Sequence, residues 1–476
     1  MNKKKFYITA AIPYVNGVPH IGHALEFVQC DAIARYKKLA GYETLLISGS
    51  DENGLKIVQA AEKQNLAPQE LADKNTLVFK NLVKQLNIGI DVWQRGSDRK
   101  FHWPGTHKLW QLCEKNGDIY KKLYGGFYCV GCEDFYTKND LVEGKCPEHL
   151  TEPEWVEEEN YFFRLSKYQE RIEKLIETDE LRVVPQTRKN EVLSFIRSGL
   201  EDFSISRSRE RAKNWGIPVL GDESQIIYTW FDGLNIYQTG VGFGYDDNLW
   251  QKWWPADVHV IGKGIIRFHA VYWIGMLLSA GLSLPKSIFV HGYIASGGQK
   301  MSKTLGNVID PFEVIQKYGA EALRYYLLRE IPAHGDGNFT YERFEQLYNA
   351  DLANGLGNLV ARVAALAERA GEFSVASLQF TDKEIEDVRK YLDEFRFDEA
   401  MKLIWSWIAD LDRQINDKKP WTLSGPGLFE TLTPWVKQIN KLGVALQPFM
   451  PETAEKILTQ FKGPKILSQA PLFPRF

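Results

Sequence analysis

The sequence predicts an α/β protein with a parallel sheet, an insertion that divides the sheet-forming region, and a helical C-terminal part. Three observations carry this reading. A strand–helix–strand pattern opens the chain. Short β-like and turn segments with three clustered cysteines occupy residues 116–225. Helical periodicity then dominates from residue 341 almost to the end.

The opening segment KFYITAAI is short and rich in β-formers, as a buried strand should be. A loop punctuated by Pro13, Asn16 and Pro19 follows it. Leu25, Val28, Ala32, Tyr36 and Leu39 recur at helical spacing, and Gly41 stands where that helix should stop. ETLLISGSD is the second strand. A strand, a helix and a strand in succession form a βαβ unit and imply a parallel sheet. The α/β pattern resumes at QIIYTWFDGLNIY and DVHVIGKGIIRFHAVYWIGMLLSAG, and the strand SIFVHGYIA leads into the loop SGGQKMSKTLGN. These changes divide the chain into 1–115 and 226–292 (two halves of one sheet-forming domain), an insertion at 116–225, a connecting region at 293–345, and a helical domain at 346–476.

A length of 476 residues accommodates about three domains. The net charge of −3 gives no general attraction to nucleic acid, so such a partner would need a local basic patch. The most apolar run, AVYWIGMLLSAGLSLP, is too short to span a bilayer. Pro13, Asn16 and Pro19 interrupt the only stretch that could resemble a signal peptide, and the expected location is cytoplasmic. Five cysteines in so long a chain are no disulfide framework.

The stretch GVPHIGH lies where the first strand feeds the first helix, and ligands in such sheets bind at the carboxyl ends of the strands. His20 and His23 are open to four readings: metal ligands, a base, a ligand grip, or packing. As a grip they share one face beside a helix N-terminus, which attracts anions. Gly22 between them lets a flat group approach the backbone. Lys300 and Lys303 occupy a glycine-flanked loop that could swing onto a polyphosphate or simply be solvated. Cys129, Cys132, Cys146 and His149 follow the pattern C-x2-C-x13-C-x2-H, which suits tetrahedral zinc with no open position. Trp230, Leu234 and Tyr237 form one helical face, and Ile265, Phe268, His269 and Tyr272 form another. Taken alone, each set reads more readily as ordinary core.

HxGH after a first strand, together with KMSK[ST] after a late one, is the signature pair of class I aminoacyl-tRNA synthetases. The chain resembles the methionyl branch of that family over nearly its whole length. AIPYVNGVPHIGH, GSDENG, SISRSRERAKNWGIPV, YTWFDGLNIY, VIGKGIIRFH, KMSKTLGN, NGLGNLVAR and KKPW all carry the resemblance. It implies a Rossmann-like parallel-sheet catalytic domain split by a zinc-knuckle insertion, then an α-helical anticodon-binding domain. It also implies activation of methionine by ATP to methionyl-adenylate, then transfer to the terminal adenosine of tRNA(Met). His20, Gly22, His23, Lys300 and Lys303 would serve ATP. Ile12, Tyr14, Asp51, Trp230, Leu234, Tyr237, Ile265 and His269 would hold methionine. Asn358, Arg362 and Trp421 would read the anticodon. Structural zinc, Mg²⁺ brought by ATP, and a monomer complete the expectation. The alternatives are a class I synthetase for another amino acid and an inactive RNA-binding relative. Four departures from the family pattern stand out: Asn53 for His, Gly233 for Ala, Gly264 for Asp and Thr304 for Ser. Gly264 removes a carboxylate expected near the ribose, and Gly233 should enlarge the pocket slightly.

Overall fold

The computed structural model describes residues 3–129, 134–136, 138–147, 150–301, 306–375 and 378–475. The first strand is β1 (Lys5–Ala10), the first helix α1 (Ile21–Leu39), and the next strands are β2 (Glu43–Ser50) and β3 (Val92–Arg95). Tyr7, Ile8 and Ala10 have no exposed surface. Strands of a parallel sheet are covered on both faces, so they read as apolar runs instead of alternating. Gly41, at φ +90°, ends the connection from α1 to β2 in a conformation that glycine adopts without penalty.

The insertion contributes a long antiparallel ladder of β4 (Ile119–Cys129) and β5 (Glu154–Phe163), paired from Ile119↔Phe163 to Tyr128↔Glu154. Further along this stretch, β6 (Arg182–Val184) joins the main sheet at its edge. The stretch 116–225 is thus not wholly separate from the sheet it interrupts. Val183 and Val184 are buried there, an apolar pair too short to announce a strand in the sequence.

Chain order then gives α2 (Thr229–Gly233), β7 (Val258–Gly262), β8 (Ser287–His291) and β9 (Ile294–Ser296). The main sheet has six strands in the order β3-β2-β1-β7-β8-β6, and every pairing is parallel. The order reverses between β1 and β7. That switch point opens a crevice at the carboxyl edge, the usual ligand site of such sheets.

The helical part includes α3 (Ala320–Arg329), α4 (Asn358–Ala370), α5 (Phe397–Lys418) and α6 (Gly425–Leu446). Among the described residues, no helix is long and apolar enough to cross a membrane. One buried cation ties the two parts together. Arg324 on α3 is fully buried and pairs with Asp31 of α1 at 2.7 Å. It also donates to the carbonyls of Leu86 and Phe449 at 3.1 and 2.8 Å. Asp31 in turn accepts from Arg35 and from the Gly89 N–H.

A buried charge deprived of its partner is costly, about 3–5 kcal/mol for a desolvated pair. Arg324→Leu should lower the unfolding free energy by roughly that amount. Adding Asp31→Leu should restore part of the loss, read from urea unfolding followed by tryptophan fluorescence. Equal or additive losses in the two variants would contradict the pairing.

Candidate active site

The two histidines organise the start of α1 before they meet any ligand. His20 is the N-cap residue, with extended backbone at φ −126° and ψ 176°. Its Nδ1 accepts from the Gly22 N–H at 3.1 Å, and the His20 N–H donates to His23 Nδ1 at 3.1 Å. This is a capping box with imidazoles in place of the usual hydroxyl and carboxylate. The rings lie 3.9 Å apart between centroids. A Cβ on Gly22 would press to 3.0 Å from the His20 ring, so the flat group that Gly22 admits is His20's own imidazole.

Because each Nδ1 accepts a backbone proton, each neutral ring carries its own proton on Nε2. Burial holds the His23 pKa well below the ordinary histidine range, with repulsion from His20 and His291 adding to it. At neutral pH His23 is therefore an uncharged donor through Nε2.

The lysine loop is tied to this helix start. The Ile21 N–H donates to the Ile309 carbonyl at 3.2 Å, joining the chain just after the loop to the first residue of α1. The loop itself begins as a hairpin: β9 pairs with Gln299–Lys300 through Gly297 and Gly298, both at positive φ. Two such residues make the tight turn that a two-residue hairpin needs. Lys300 thus has a place on a strand where a flexible loop was expected; Lys303 and Thr304 lie outside the described residues. His291, at the end of β8, places Nε2 3.1 Å from Glu26 of α1. Neither residue stands out in the sequence, because each acquires meaning only when β8 packs beside α1.

Across the switch point, aromatic and imidazole rings form a continuous cluster. Tyr14 meets Trp230 edge to face at 6.1 Å, and Trp230 meets His269 at 6.4 Å. His269 Nδ1 lies 2.9 Å from the Ile265 carbonyl, so that nitrogen carries the proton and Nε2 accepts from the Tyr237 hydroxyl at 2.8 Å. Burial lowers the His269 pKa to about 4, and the ring is neutral. Leu234 and Tyr237 are buried, while Ile12, Trp230 and Ile265 keep partial exposure. The two faces are not carried on regular α-helices. α2 ends before a second short helix, Ile236–Thr239. Lys263–Ile265 is a 3-10 turn, and Phe268–Tyr272 is π-helical. Widened helical turns of this kind recur at functional sites. Phe268 stacks on Trp230 at 3.8 Å, holding the indole against the cluster.

Asp51 directly follows β2, bridges to Tyr14 and is buried. The Thr229 hydroxyl contacts both carboxylate oxygens at 3.0 Å. A Cβ on Gly233 would stand 3.0 Å from Asp51 Oδ2. The room made by this glycine therefore lies beside the carboxylate.

Comparison with known proteins bears directly on this crevice. A family model described as tRNA synthetases class I (M) matches residues 6–153 and 139–364, and one described as the anticodon-binding domain of tRNA ligase matches residues 377–476. The methionine–tRNA ligase of Brucella melitensis is 41 % identical, over 98 % of this chain and 93 % of its own length. That of Thermotoga maritima is 41 % identical, over 95 % of this chain and 74 % of its own. The chain belongs to the methionyl-tRNA synthetase family. The Mycobacterium tuberculosis methionyl-tRNA synthetase in complex with methionyl-adenylate superposes with a TM-score of 0.92 at 35 % identity, covering 99 % of this chain and all of that one. The apo form of that protein matches with a TM-score of 0.85.

Within this synthetase fold the remaining expected residues divide. Asn53 turns inward: its amide donates to the Gly96 carbonyl at 2.8 Å and to Asp232 at 2.7 Å, locking the β2 loop to α2. Cys129 and Cys146 are buried and form no disulfide. The Cys146 N–H donates to the Thr151 carbonyl at 2.9 Å, and its carbonyl accepts from the Leu150 N–H at 2.8 Å. Cys132 and His149 lie outside the described residues, and among the described residues no group of three metal-ligating side chains occurs. In the helical domain Asn358 starts α4, and Arg362 on the same helix reaches Asp412 and Asn416 of α5 at 3.2 and 3.0 Å. Beyond α5, Lys419 takes left-handed backbone at φ 45° and Pro420 follows, presenting Trp421 with half its surface exposed. An indole so placed is not a core residue.

The neutral pocket histidine gives a pH signature. The unfolded chain binds a proton at His269 near 6.5, whereas the folded chain binds it only near 4. Its contribution to stability is complete above pH 6.5 and is lost as the pH falls towards 4. His269→Gln should make this acid-side decline shallower, read from urea midpoints across that range. An unchanged slope would show that the ring is protonated in the folded protein.

Proposed function

We propose that the crevice at the sheet switch point joins methionine to ATP and that the helical domain selects tRNA(Met). Membership in the family makes the chain a methionine–tRNA ligase, which forms methionyl-adenylate and pyrophosphate before charging the tRNA. The observation that carries the first part of this reading is the Ile21–Ile309 hydrogen bond, which joins the histidine-bearing helix start to the chain just after the lysine loop.

In the first step the methionine carboxylate attacks the α-phosphate, so no protein nucleophile and no general base is required. What the protein supplies is position and charge stabilisation. His20 and His23 would donate through Nε2 to phosphate oxygens, while Lys300 and Lys303 would hold the triphosphate. Gly22 would serve by leaving room for the His20 ring beside the helix start. Mg²⁺ would come with the nucleotide, held by its phosphates. Asp51 would take the substrate ammonium by a charge-assisted hydrogen bond. Tyr14, Trp230, Tyr237 and His269, with Ile12, Leu234 and Ile265, would surround the thioether. Sulfur packs favourably against aromatic rings, and neutral His269 avoids a charge beside it.

Cys129, Cys132, Cys146 and His149 would hold structural zinc. The buried thiols of Cys129 and Cys146 fit that role. The metal would cross-link a ladder end that has little core of its own. Asn358, Arg362 and Trp421 would bind the anticodon, the indole by stacking and the polar pair at base edges. We further assign the domain limits 1–115, 116–225, 226–292, 293–345 and 346–476, a monomer, and a cytoplasmic location.

Exchange of pyrophosphate into ATP, run with each amino acid in turn, tests the reading. Methionine alone should support it, and exchange driven by another amino acid would overturn the substrate assignment. His20→Ala should slow this exchange by about 10²–10³ with little change in methionine affinity. Loss of methionine binding with an intact rate would refute its phosphate role. Trp421→Ala should lower kcat/KM for tRNA by about tenfold, the worth of one stacked base, and leave exchange intact. A matching loss in both assays would refute the anticodon role.

A further inference from the structure

The segment SISRSRERAKNWGIPV ends in a loop of the insertion that reaches the turn after β2. The Trp215 indole N–H donates to the Glu52 carbonyl at 2.6 Å. Lys213 pairs at 2.6 Å with Glu62, the last residue of the helix Leu55–Glu62 that follows the turn. The loop takes an uncommon path to do so. Lys213 and Asn214 both have left-handed backbone, at φ 50° and 60°, and Gly216 follows at φ 128°. Such backbone in non-glycine residues persists only where its surroundings over-determine it. Here the N–H groups of Lys213, Asn214 and Trp215 donate to the carbonyls of Glu210, Arg209 and Ala212, and Arg209 Nε donates to the Asn214 side chain at 3.0 Å. A Cβ on Gly216 would stand 2.6 Å from Ile226, so the bend beside the indole needs glycine for space as well as for backbone.

The turn that receives the indole carries Asp51. Upstream it is held by the loop after β1: the Asp51 N–H donates to the Pro13 carbonyl at 2.9 Å, and the Asp51 carbonyl accepts from the Val15 N–H at 3.4 Å. The Glu52 side chain is fully buried and accepts from Ser50, Thr76, Ser97 and Arg95. The Asn53 amide reaches Gly96 and Asp232. Trp215 adds the hold on the peptide between Glu52 and Asn53, and it is the insertion that supplies it. A cavity lined in part by Asn53, Trp215, Tyr228 and Thr229 borders the turn on this side. Without the indole bond the turn therefore has space to shift into. Thr229, which also lines that space, is the residue that grips the Asp51 carboxylate.

We infer that Trp215 is a positioning residue for methionine: from the insertion it fixes the turn after β2 so that the Asp51 carboxylate meets the substrate ammonium. This rests on the synthetase reading above, in which Asp51 takes that ammonium. Trp215 acts through the peptide one residue beyond Asp51, so the insertion shapes the amino-acid site without lending it a binding group. A charge-assisted hydrogen bond depends on the placement of the carboxylate, and a displaced turn weakens it while leaving the thioether pocket and the nucleotide groups in place.

Trp215→Phe keeps an aromatic ring and removes the N–H. It should raise KM for methionine about three- to tenfold, the worth of one hydrogen bond, while kcat and KM for ATP stay within about twofold. Calorimetric titration separates positioning from general loosening. Methioninol keeps the ammonium and should lose affinity as methionine does. 4-(Methylthio)butanoate keeps the thioether chain and the carboxylate but lacks the ammonium, and it should bind both proteins equally. In an Asp51→Asn background Trp215→Phe should add less than about twofold, because the two act as one unit. Gly216→Ala shifts the same indole by another route and should show the same selective loss. Equal losses for all three ligands, an unchanged methionine affinity, or full additivity with Asp51→Asn would overturn the inference. Absence of methionine-dependent exchange in the unmodified protein would instead overturn the proposed activity.

Discussion

Parallel pairing of β1 with β7 is the contact on which the site depends. Ile8 pairs with Val258 and Ala10 with Val260, joining segments separated by the whole insertion. Their loops then leave the sheet side by side at the edge where the strand order reverses. The loop after β1 delivers Tyr14, His20 and His23. The segment after β7 delivers Ile265 and His269. Side chains reinforce the pairing: Thr9 meets His259 at 2.6 Å, and the Tyr7 hydroxyl donates to the Tyr237 carbonyl at 2.5 Å. Without this central pair, neither half of the catalytic domain would have a crevice.

Around the crevice, charge and neutrality are separated by burial. His23, His259 and His269 are held neutral because desolvation penalises the imidazolium. The tautomers of His23 and His269 are then chosen by fixed backbone groups, an N–H for His23 and a carbonyl for His269. Two buried carboxylates, in contrast, are paired with arginines. Glu52 is bonded to Arg95, Ser50 and Thr76, and Asp31 to Arg324. Rings held in one orientation cost little to reorganise when charge develops on a substrate, which is how preorganised donors stabilise a transition state.

The helical domain is anchored to the same framework. Arg324 joins α1 to the carbonyl of Phe449, and Phe289 of β8 stacks on Phe395 at 4.8 Å. The helix that begins at His20 therefore touches the helical domain along its other end. Trp421 is exposed because the αL residue Lys419 and Pro420 turn the chain out of α5. Its exposure separates it from the many buried tryptophans of this chain, a distinction that residue type alone cannot make.

Much of this was legible in the residues. The apolar run of β1, the helical spacing of α1 and the Gly41 stop come from local chemistry that acts within a few residues. HxGH and KMSK carry the family resemblance for the same reason, since backbone approach and helix capping demand particular residues at particular spacing. What the sequence could not state depends on contacts between distant segments. It showed Gly22 as an opening but not that His20 fills it. It showed Gly264 as a missing carboxylate but not that the Tyr293 hydroxyl occupies the space a Cβ would take. It marked neither His291 with Glu26 nor Asn53 with Asp232, and it presented a 3-10 and a π-helical turn as one regular helix. The sequence by itself determined which groups could do chemistry and the strands and helices that carry them. Only tertiary structure decided their protonation, tautomer and partners, because those follow from desolvation and from hydrogen bonds made across the sheet.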